Sequence, residues 1–294
     1  MENFKSVKKV GIIGIIINLF LFIIKIGFGI LSKSESMIAD GFNSITDVFA
    51  SLMTFIGNKI ARCERDTNHN FGHEKAEYIF SMFISISIFI IAIKLLYSSI
   101  ASLFSNHEVI FSLNLVIVSI ITIIIKLLLY LYTKYLYKKE PSILLKSNNI
   151  DHRNDIFLTL SVLISVLFSK YHIYFVDSLV GIIISIWFLI SGITIFKDSF
   201  NVLMDIALPS EIKENILSLI MMDKNVIKVE DLYSMSIGYK FIVVLTLCVD
   251  GNLSTLESHR IANDVETKIK KKFSNIKEVF IHIHPVKILN EKNS

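Results

Sequence analysis

Six long apolar segments, separated by short polar ones, dominate the first two thirds of the chain. Each contains roughly twenty mostly apolar residues, the length that a helix needs to cross the hydrocarbon core of a bilayer. The pattern therefore predicts an α-helical membrane protein whose six transmembrane helices form a domain over residues 1–204. The predicted segments are 9–31, 36–58, 77–104, 111–134, 147–169 and 173–196.

The fifth segment is the least hydrophobic of the six because its first turns are polar and charged. Residues 156–168 carry no charged side chain, so the remainder of the segment suits a membrane. Without a helix here, Asp155 would lie in a loop with nothing to explain it. We therefore retain this segment as a transmembrane helix.

From about Met204 onward the pattern becomes that of a small soluble domain. Two helical segments and three segments rich in strand-forming residues follow one another in the order αββαβ. This order predicts an α+β domain over residues 205–290 with a tail at 291–294. The segments are 210–222, 225–236, 240–249, 254–273 and 277–284.

Two short motifs mark the starts of the helices in this second domain. Ser254 and Glu257 have the spacing of a capping box, in which each side chain bonds a backbone N–H of the other residue. Ser210 follows a proline and is predicted to be the N-cap of the first helix.

The composition suits a membrane protein that carries a soluble part. The chain is 53% hydrophobic, whereas soluble domains are about 45–50% apolar. The net charge of +4 is too small to indicate a nucleic-acid partner. Cys63 and Cys248 lie far apart and form no CxxC motif, so neither a disulfide framework nor a thiolate metal site is predicted. The sequence shows no phosphate-cradling glycine loop and no nucleophile–base set, which argues against an enzyme.

Lysine and arginine are concentrated in the segments on one side of the predicted helices. Such residues favour the cytoplasmic side of a membrane. We therefore expect a multi-pass protein of the cell membrane with both termini in the cytoplasm. The predicted inside segments hold Lys5, Lys8, Lys9, Lys59, Arg62, Arg65, Lys75, Lys134, Lys138, Lys139 and Lys146, and the outside loops hold Lys33 and Lys170.

Two predicted membrane helices each carry a pair of oxygen-bearing side chains spaced four residues apart. Asn43 and Asp47 form the pair in the second helix, and Asp151 and Asp155 form the pair in the fifth. Residues i and i+4 share one face of a helix. At about 1.5 Å per residue, both pairs lie near the middle of the bilayer. If the two faces meet, four oxygen ligands surround one point, which predicts a site for a divalent metal ion.

Three buried carboxylates repel one another and need a neutralising cation. An aspartate at the bilayer centre costs roughly 2.5–3.5 kcal/mol on insertion scales. Either bound protons or a divalent ion would supply the missing charge, and metal binding displaces protons. A site open alternately to each side would therefore exchange metal for protons, with the proton as counter-ion. The plainer interpretation is that these groups only hold the helix bundle together by hydrogen bonds.

Oxygen ligands without sulfur or imidazole favour Mn²⁺ or Mg²⁺, because zinc sites usually contain His or Cys. His152 adjoins the site but is rotated about 100° from Asp151 on a helix, so it is predicted to point away. Lys25 and Lys126 also lie deep within predicted spans. They either pair with a carboxylate or line a cavity on the transport path.

Two further histidine groups are candidate metal ligands. Asp66, His69 and His73 lie in the loop after the second helix, where they either bind a divalent ion or are ordinary polar loop residues. In the soluble domain, alternation places His282 and His284 on one face of the last strand. With His259 they form a candidate metal set, the alternative being surface histidines.

At these residues the chain resembles the cation diffusion facilitator family. The resemblance covers the six spans, the two oxygen pairs, the loop 69–77 and the αββαβ domain. It implies a homodimer that exports divalent metal from the cytoplasm by proton antiport and has a ferredoxin-like, metallochaperone-like cytoplasmic domain. Asn43 and Asp151 occupy positions where zinc members typically carry His, which is similar to the manganese branch.

The resemblance also assigns roles outside the membrane helices. Asp66, His69 and His73 match the metal site in the family's loop. His259 and His282 match the family's cytoplasmic site, but Glu230 and Thr246 stand where zinc members often carry His. Lys75 and Asp205 match positions that form an interlocking salt bridge in relatives.

The first interpretation is therefore a manganese exporter without a prosthetic group. Three alternatives stay open at this point: an exporter of zinc, iron or cobalt, a membrane metal sensor that does not transport, and a membrane-embedded metalloenzyme, which the residues favour least.

Overall fold

The structure is a computed structural model that describes residues 3–31, 35–104, 113–169 and 175–286. The first part of the chain forms six long helices of 27 to 29 residues, followed by a smaller α+β part. The predicted tail at 291–294 lies outside the described residues. The six helices are α1 (Asn3–Leu31), α2 (Glu35–Ala61), α3 (Ala76–Phe104), α4 (Leu113–Lys139), α5 (Ile143–Ser169) and α6 (Phe175–Leu203).

A helical membrane domain followed by an α+β domain is confirmed. Within the described residues, α1, α3, α4 and α6 contain spans that are long and apolar enough to cross a membrane. Helices α2 and α5 are equally long but carry charged residues in their middle turns, which lowers their mean hydropathy. The count of six spans is thus shown for four helices and stays a prediction for α2 and α5.

Small residues bring α1 close against α2. A Cβ atom placed on Gly11 would lie 3.0 Å from the backbone nitrogen of Phe55, and one on Gly14 would overlap the Ser51 hydroxyl. The side-chain amide of Asn18 then donates a hydrogen bond of 3.4 Å to Ser51. Close backbone approach at small residues is typical of helix pairs in membranes, where apolar burial contributes little to association.

Polar contacts fix α5 among its neighbours. The Asn148 amide donates to the Thr54 hydroxyl of α2, and the Asn149 amide donates to the carbonyl of Tyr130 in α4 at 2.9 Å. Arg153 donates to Ser191 of α6 at 3.2 Å and lies 5.2 Å from the centre of the Trp187 ring. These contacts hold α5 by polar groups that a lipid-facing helix lacks, which explains how such a polar helix is accommodated.

The chain divides into two compact units that meet between Phe200 and Asn201. The predicted domain limits of 1–204 and 205–290 stay predictions. The second unit contains the predicted order αββαβ, so this part of the fold is confirmed. Its elements are α7 (Ser210–Met221), β1 (Lys228–Ile237), β2 (Lys240–Asp250), α8 (Thr255–Lys272) and β3 (Ile276–Val286).

The second unit is a three-stranded sheet covered by two helices. The strand order is β1-β2-β3, with β1 antiparallel and β3 parallel to the central β2. A parallel neighbour requires a crossover, which α8 supplies. Apolar residues of the helices pack on the central strand in one core, whose most buried members include Ile216, Ile220, Val243, Leu247, Val265 and Ile269.

Of the two predicted helix N-caps, the one at Ser254 is confirmed and the one at Ser210 is not. The capping box at α8 is confirmed: the Glu257 N–H donates to the Ser254 hydroxyl, and the Ser254 N–H donates to the Glu257 carboxylate. The predicted Ser210 cap is wrong by one residue. The helix already begins at Ser210, so Pro209 is the N-cap, and its hydrocarbon ring has no group that could accept a hydrogen bond.

We expect Ser254→Ala to destabilise the second unit by about 1 kcal/mol, since it removes a side-chain cap. Thermal unfolding of the purified full chain, followed by circular dichroism, measures this change. Ser258→Ala is the matched control, because that hydroxyl bonds only the Thr255 carbonyl of the same turn. An equal loss in both variants would contradict a specific role for the cap.

The effect of Ser254→Ala should depend on pH. Hydrogen bonds from the Ser254 side chain and backbone lower the pKa of Glu257 below its usual 4.5. A carboxylate with a lowered pKa stabilises the folded state above its unfolded pKa and loses this effect as pH falls. The stability gap between the wild type and Ser254→Ala should therefore narrow below about pH 4.

Candidate metal site

The two predicted aspartates lie at the middle of their helices. Asp47 is the thirteenth of the 27 residues of α2, counted from Glu35, and Asp155 is the thirteenth of the 27 residues of α5, counted from Ile143. Asp47 is buried, and Asp155 is largely so. Their helices pack against each other, which places both side chains inside the bundle.

A small cavity lies between these helices. Its volume is about 10 Å³, close to the least space that a single water molecule occupies. Asn43, Asp47 and Asp155 line it together with Lys25, Lys126 and Thr122. The structure thus brings three of the four predicted ligands to one cavity of the size of a single ion or water.

The fourth predicted ligand, Asp151, lies beside this cavity. It does not line it, but it is buried and offers a carboxylate oxygen within 4.8 Å of ligand atoms of Asp155 and His152. Asp151 and Asp155 therefore share one face of α5, as their spacing predicts. The four residues form a continuous polar group, with Asp155 between the cavity and Asp151.

Lys126 provides a positive charge within this group. It is the fourteenth of the 27 residues of α4 and is only 1% exposed. Its ammonium donates to Asp47 Oδ2 at 2.7 Å and to Asp155 Oδ2 at 2.6 Å. The predicted pairing of Lys126 with carboxylates is confirmed. Lys126 also lines the cavity, and a place on the transport path stays a prediction. Sequence reasoning did not assign it as a site residue, although a lysine midway along an apolar helix was the available signal.

The prediction that His152 points away from the site is wrong. Its ring is buried, and a ring nitrogen lies within 4.8 Å of carboxylate oxygens of both Asp151 and Asp155. A rotation of 100° separates the Cα positions, but the imidazole is long enough to reach back over the adjacent turn. In the described part of the chain neither ring nitrogen has a hydrogen-bond partner. The site therefore has an imidazole at its edge.

The loop after α2 gathers its three predicted residues. One ligand atom from each of Asp66, His69 and His73 falls within 4.8 Å of the others. His69 Nδ1 is 3.1 Å from Asp66 Oδ1, and His73 Nε2 is 3.5 Å from Asp66 Oδ2. The His69 backbone N–H leads the groups that lower the pKa of Asp66. An ionised carboxylate beside two imidazoles suits a divalent ion.

The three histidines of the second unit are not gathered in this way. Across the described residues, they form no group of three ligand atoms within 4.8 Å. His282 and His284 lie on the same exposed face of β3, as alternation predicts. His284 Nδ1 is 3.5 Å from Glu230 Oε2, whereas His259 on α8 contacts Asn263. A metal site made of all three histidines is thus not formed here.

Lys75 and Asp205 belong to different units of the chain. Asp205 follows the last turn of α6 with a positive φ of 55°, a conformation that Asp tolerates better than most residues. The salt bridge between Lys75 and Asp205 stays a prediction.

The chain is similar in sequence to known cation efflux proteins along nearly its whole length. The chain is 28% identical over 292 residues to the manganese efflux system protein MneS of Bacillus subtilis, which covers 97% of this chain and 99% of that protein. It is 27% identical over 285 residues to MneP of the same organism, also named a manganese efflux system protein, with 95% and 96% covered. The cation-efflux pump FieF of Shewanella oneidensis is 28% identical over 270 residues, with 92% and 91% covered.

Two family profiles divide the chain between them. Residues 11–204 match the cation efflux transmembrane domain, and residues 208–286 match the cytoplasmic domain of cation efflux proteins. The first match covers more than half of the chain and contains every residue of the buried polar group. The chain therefore belongs to the cation efflux family of membrane transporters.

Proposed function

We propose that this transporter exports divalent cations, above all Mn²⁺, from the cytoplasm in exchange for protons. The observation that carries the proposal is the cavity between α2 and α5. Two carboxylates and an amide line it, and a third carboxylate lies beside it. Such groups are costly inside a membrane and mark ion pathways and binding sites. A site near the midpoint of the helices is where a transporter binds its substrate.

The ligand set supports manganese as the preferred ion. Asn43, Asp47, Asp151 and Asp155 offer only oxygen atoms, which suit hard divalent ions. A cavity of about 10 Å³ leaves little room for the ion to keep its water shell. Two relatives of the chain are named as manganese efflux proteins. These points favour Mn²⁺ as substrate.

The charges of the site support proton exchange. Once a divalent ion leaves, the single positive charge of Lys126 offsets only part of the charge of the three carboxylates, and uncompensated buried charges are strongly destabilising. When the site opens to the opposite side, protons from that side compete directly with the metal for the same oxygens. Metal export and proton entry are then coupled steps of one transport cycle.

The arrangement in the membrane follows from the loops. The excess of Lys and Arg on one side supports cytoplasmic N- and C-termini in the cell membrane, which places the second unit in the cytoplasm. The resemblance to the cation diffusion facilitators adds a homodimer. In this arrangement the loop group of Asp66, His69 and His73 faces the cytoplasm as a secondary metal site.

We expect Asp47→Asn to abolish Mn²⁺ uptake into inverted vesicles, because it removes a carboxylate that lines the cavity. Initial rates with an imposed pH gradient measure the effect. Asp264→Asn on the exposed surface of α8 is the matched control, with the same change of charge and no expected loss of uptake.

Wild-type uptake that does not depend on the pH gradient would refute proton exchange. Binding of Mn²⁺ without any uptake would instead indicate the metal sensor.

A zinc exporter is the second candidate, and one observation favours it. His152 lies beside Asp151 and Asp155, and its imidazole has no hydrogen-bond partner among the residues that the structure describes; imidazole is a preferred zinc ligand. Iron and cobalt accept the same ligand mixture. The choice between these metals therefore depends on whether His152 contacts the ion.

His152→Gln separates the two metals. If the oxygen atoms alone bind the ion, Mn²⁺ uptake is unchanged, because the substituted imidazole was not a ligand. If His152 ligates zinc, the ratio of Zn²⁺ to Mn²⁺ uptake should fall by about tenfold or more. Asp151→His is the opposite change, and we expect it to shift uptake towards Zn²⁺. An unchanged ratio in both variants would place metal selection elsewhere in the chain.

A further inference from the structure

The Lys126 ammonium occupies the position between the two cavity-lining carboxylates. It lies 2.7 Å from Asp47 Oδ2 and 2.6 Å from Asp155 Oδ2, so one cation joins α2, α4 and α5. The side chain is 1% exposed and therefore has no access to bulk water in this arrangement. Lys25 also lines the cavity, and Lys126 donates a hydrogen bond to each of the two carboxylates.

A metal ion that binds Asp47 Oδ2 and Asp155 Oδ2 competes with this ammonium for the same two oxygens. Hard divalent ions hold carboxylate oxygens at about 2.0–2.6 Å, nearly the distances at which Lys126 holds them here. The cavity has room for about one ion or water. Two cations at the same two oxygens would also repel each other at close range.

We propose that the Lys126 ammonium is the built-in counter-ion of the metal-free site, and that it leaves the Asp47–Asp155 pair whenever a divalent ion enters. This inference rests on the proposed function, since it concerns the same site. Lys126 is then a positioning residue that competes with the substrate. It is tethered to α4, so its return offers the carboxylates a replacement cation and favours metal release.

The structure contains an acceptor for the displaced ammonium. Thr122 lines the same cavity, is buried, and its hydroxyl makes no hydrogen bond within the described ranges. It precedes Lys126 by four residues and so shares its face of α4. Side chains on a helix lean towards its N-terminus, which directs the Lys126 chain towards Thr122. A short swing along this face would free both carboxylates and give Thr122 a partner.

Lys126→Met tests the competition directly. Methionine keeps an unbranched side chain but cannot pair with the carboxylates, so Mn²⁺ no longer displaces a cation. We expect the Kd for Mn²⁺, measured by calorimetry on the purified full chain, to fall about 5- to 150-fold, the usual range for thermodynamic coupling. In vesicles, KM and kcat should both fall, because binding tightens and release slows. A merely structural lysine would give weaker binding instead.

Two matched variants isolate the charge at this position. Lys94→Met removes another lysine from a membrane helix, at an exposed position of α3, and should change neither Kd nor KM. Lys126→Arg retains a cation and should keep the Kd near the wild-type value. A Kd for Lys126→Met that equals or exceeds the wild-type value would overturn the proposal.

Thr122→Val provides a test that does not require the Lys126 variant to transport. The change conserves shape and removes a hydroxyl that has no partner in this structure. If Thr122 receives the displaced ammonium, its loss should raise the Kd several-fold in the wild type but have no effect in Lys126→Met. An equal rise in both backgrounds would make Thr122 a direct ligand and reject the proposed swing.

These outcomes are separable from failure of the proposed function. If wild-type vesicles take up no divalent ion, the export proposal fails, whatever the affinities are. If the wild type transports Mn²⁺ but Lys126→Met binds it no more tightly, only the counter-ion role fails. If Lys126→Met does not fold, the same comparison is made with Lys126→Gln. The counter-ion role then requires Thr122→Val to raise the Kd for Mn²⁺ in the wild type but not in Lys126→Gln.

Discussion

Buried charge within the helix bundle is the constraint on which this structure depends. Asp47 and Asp151 are buried and Asp155 is largely so, where water screens charge poorly, and carboxylates in such places must be compensated. Lys126 supplies part of the compensation by joining two of the carboxylates. The polar contacts of Asn148, Asn149 and Arg153 accommodate the rest of α5. The two most polar of the six long helices, α2 and α5, thereby contact neighbouring helices through charged and polar groups as well as through apolar ones.

Much of this arrangement could be predicted from spacing alone. Residues four apart on a helix share a face, so the pairs on α2 and α5 followed directly from the sequence. Periodicity also located every helix and strand of the second unit. The capping box at Ser254 was predictable because it is a local motif that needs no tertiary contact.

What could not be predicted depends on which distant groups meet. The sequence marks Lys126 as unusual but does not say which carboxylates it contacts, because that requires the packing of α4. The Cα position of His152 predicts a ring that points away from the site, but the position of its ring nitrogens depends on side-chain rotation, which the sequence does not fix. His259, His282 and His284 were grouped by residue type, yet the fold places them on a helix and a strand without gathering them.

The close packing of α1 on α2 has a mechanical consequence. Among the described residues, the most extensive helix contacts join α1 to α2 and α4 to α5. Gly11 and Gly14 allow α1 to lie in close contact with Phe55 and Ser51 of α2, a packing that favours movement of the two helices as one body. Asp47 belongs to one pair, whereas Asp155 and Lys126 belong to the other. Any rocking of one pair against the other would therefore change the distances from Asp47 to Asp155 and Lys126 without separating the helices within either pair.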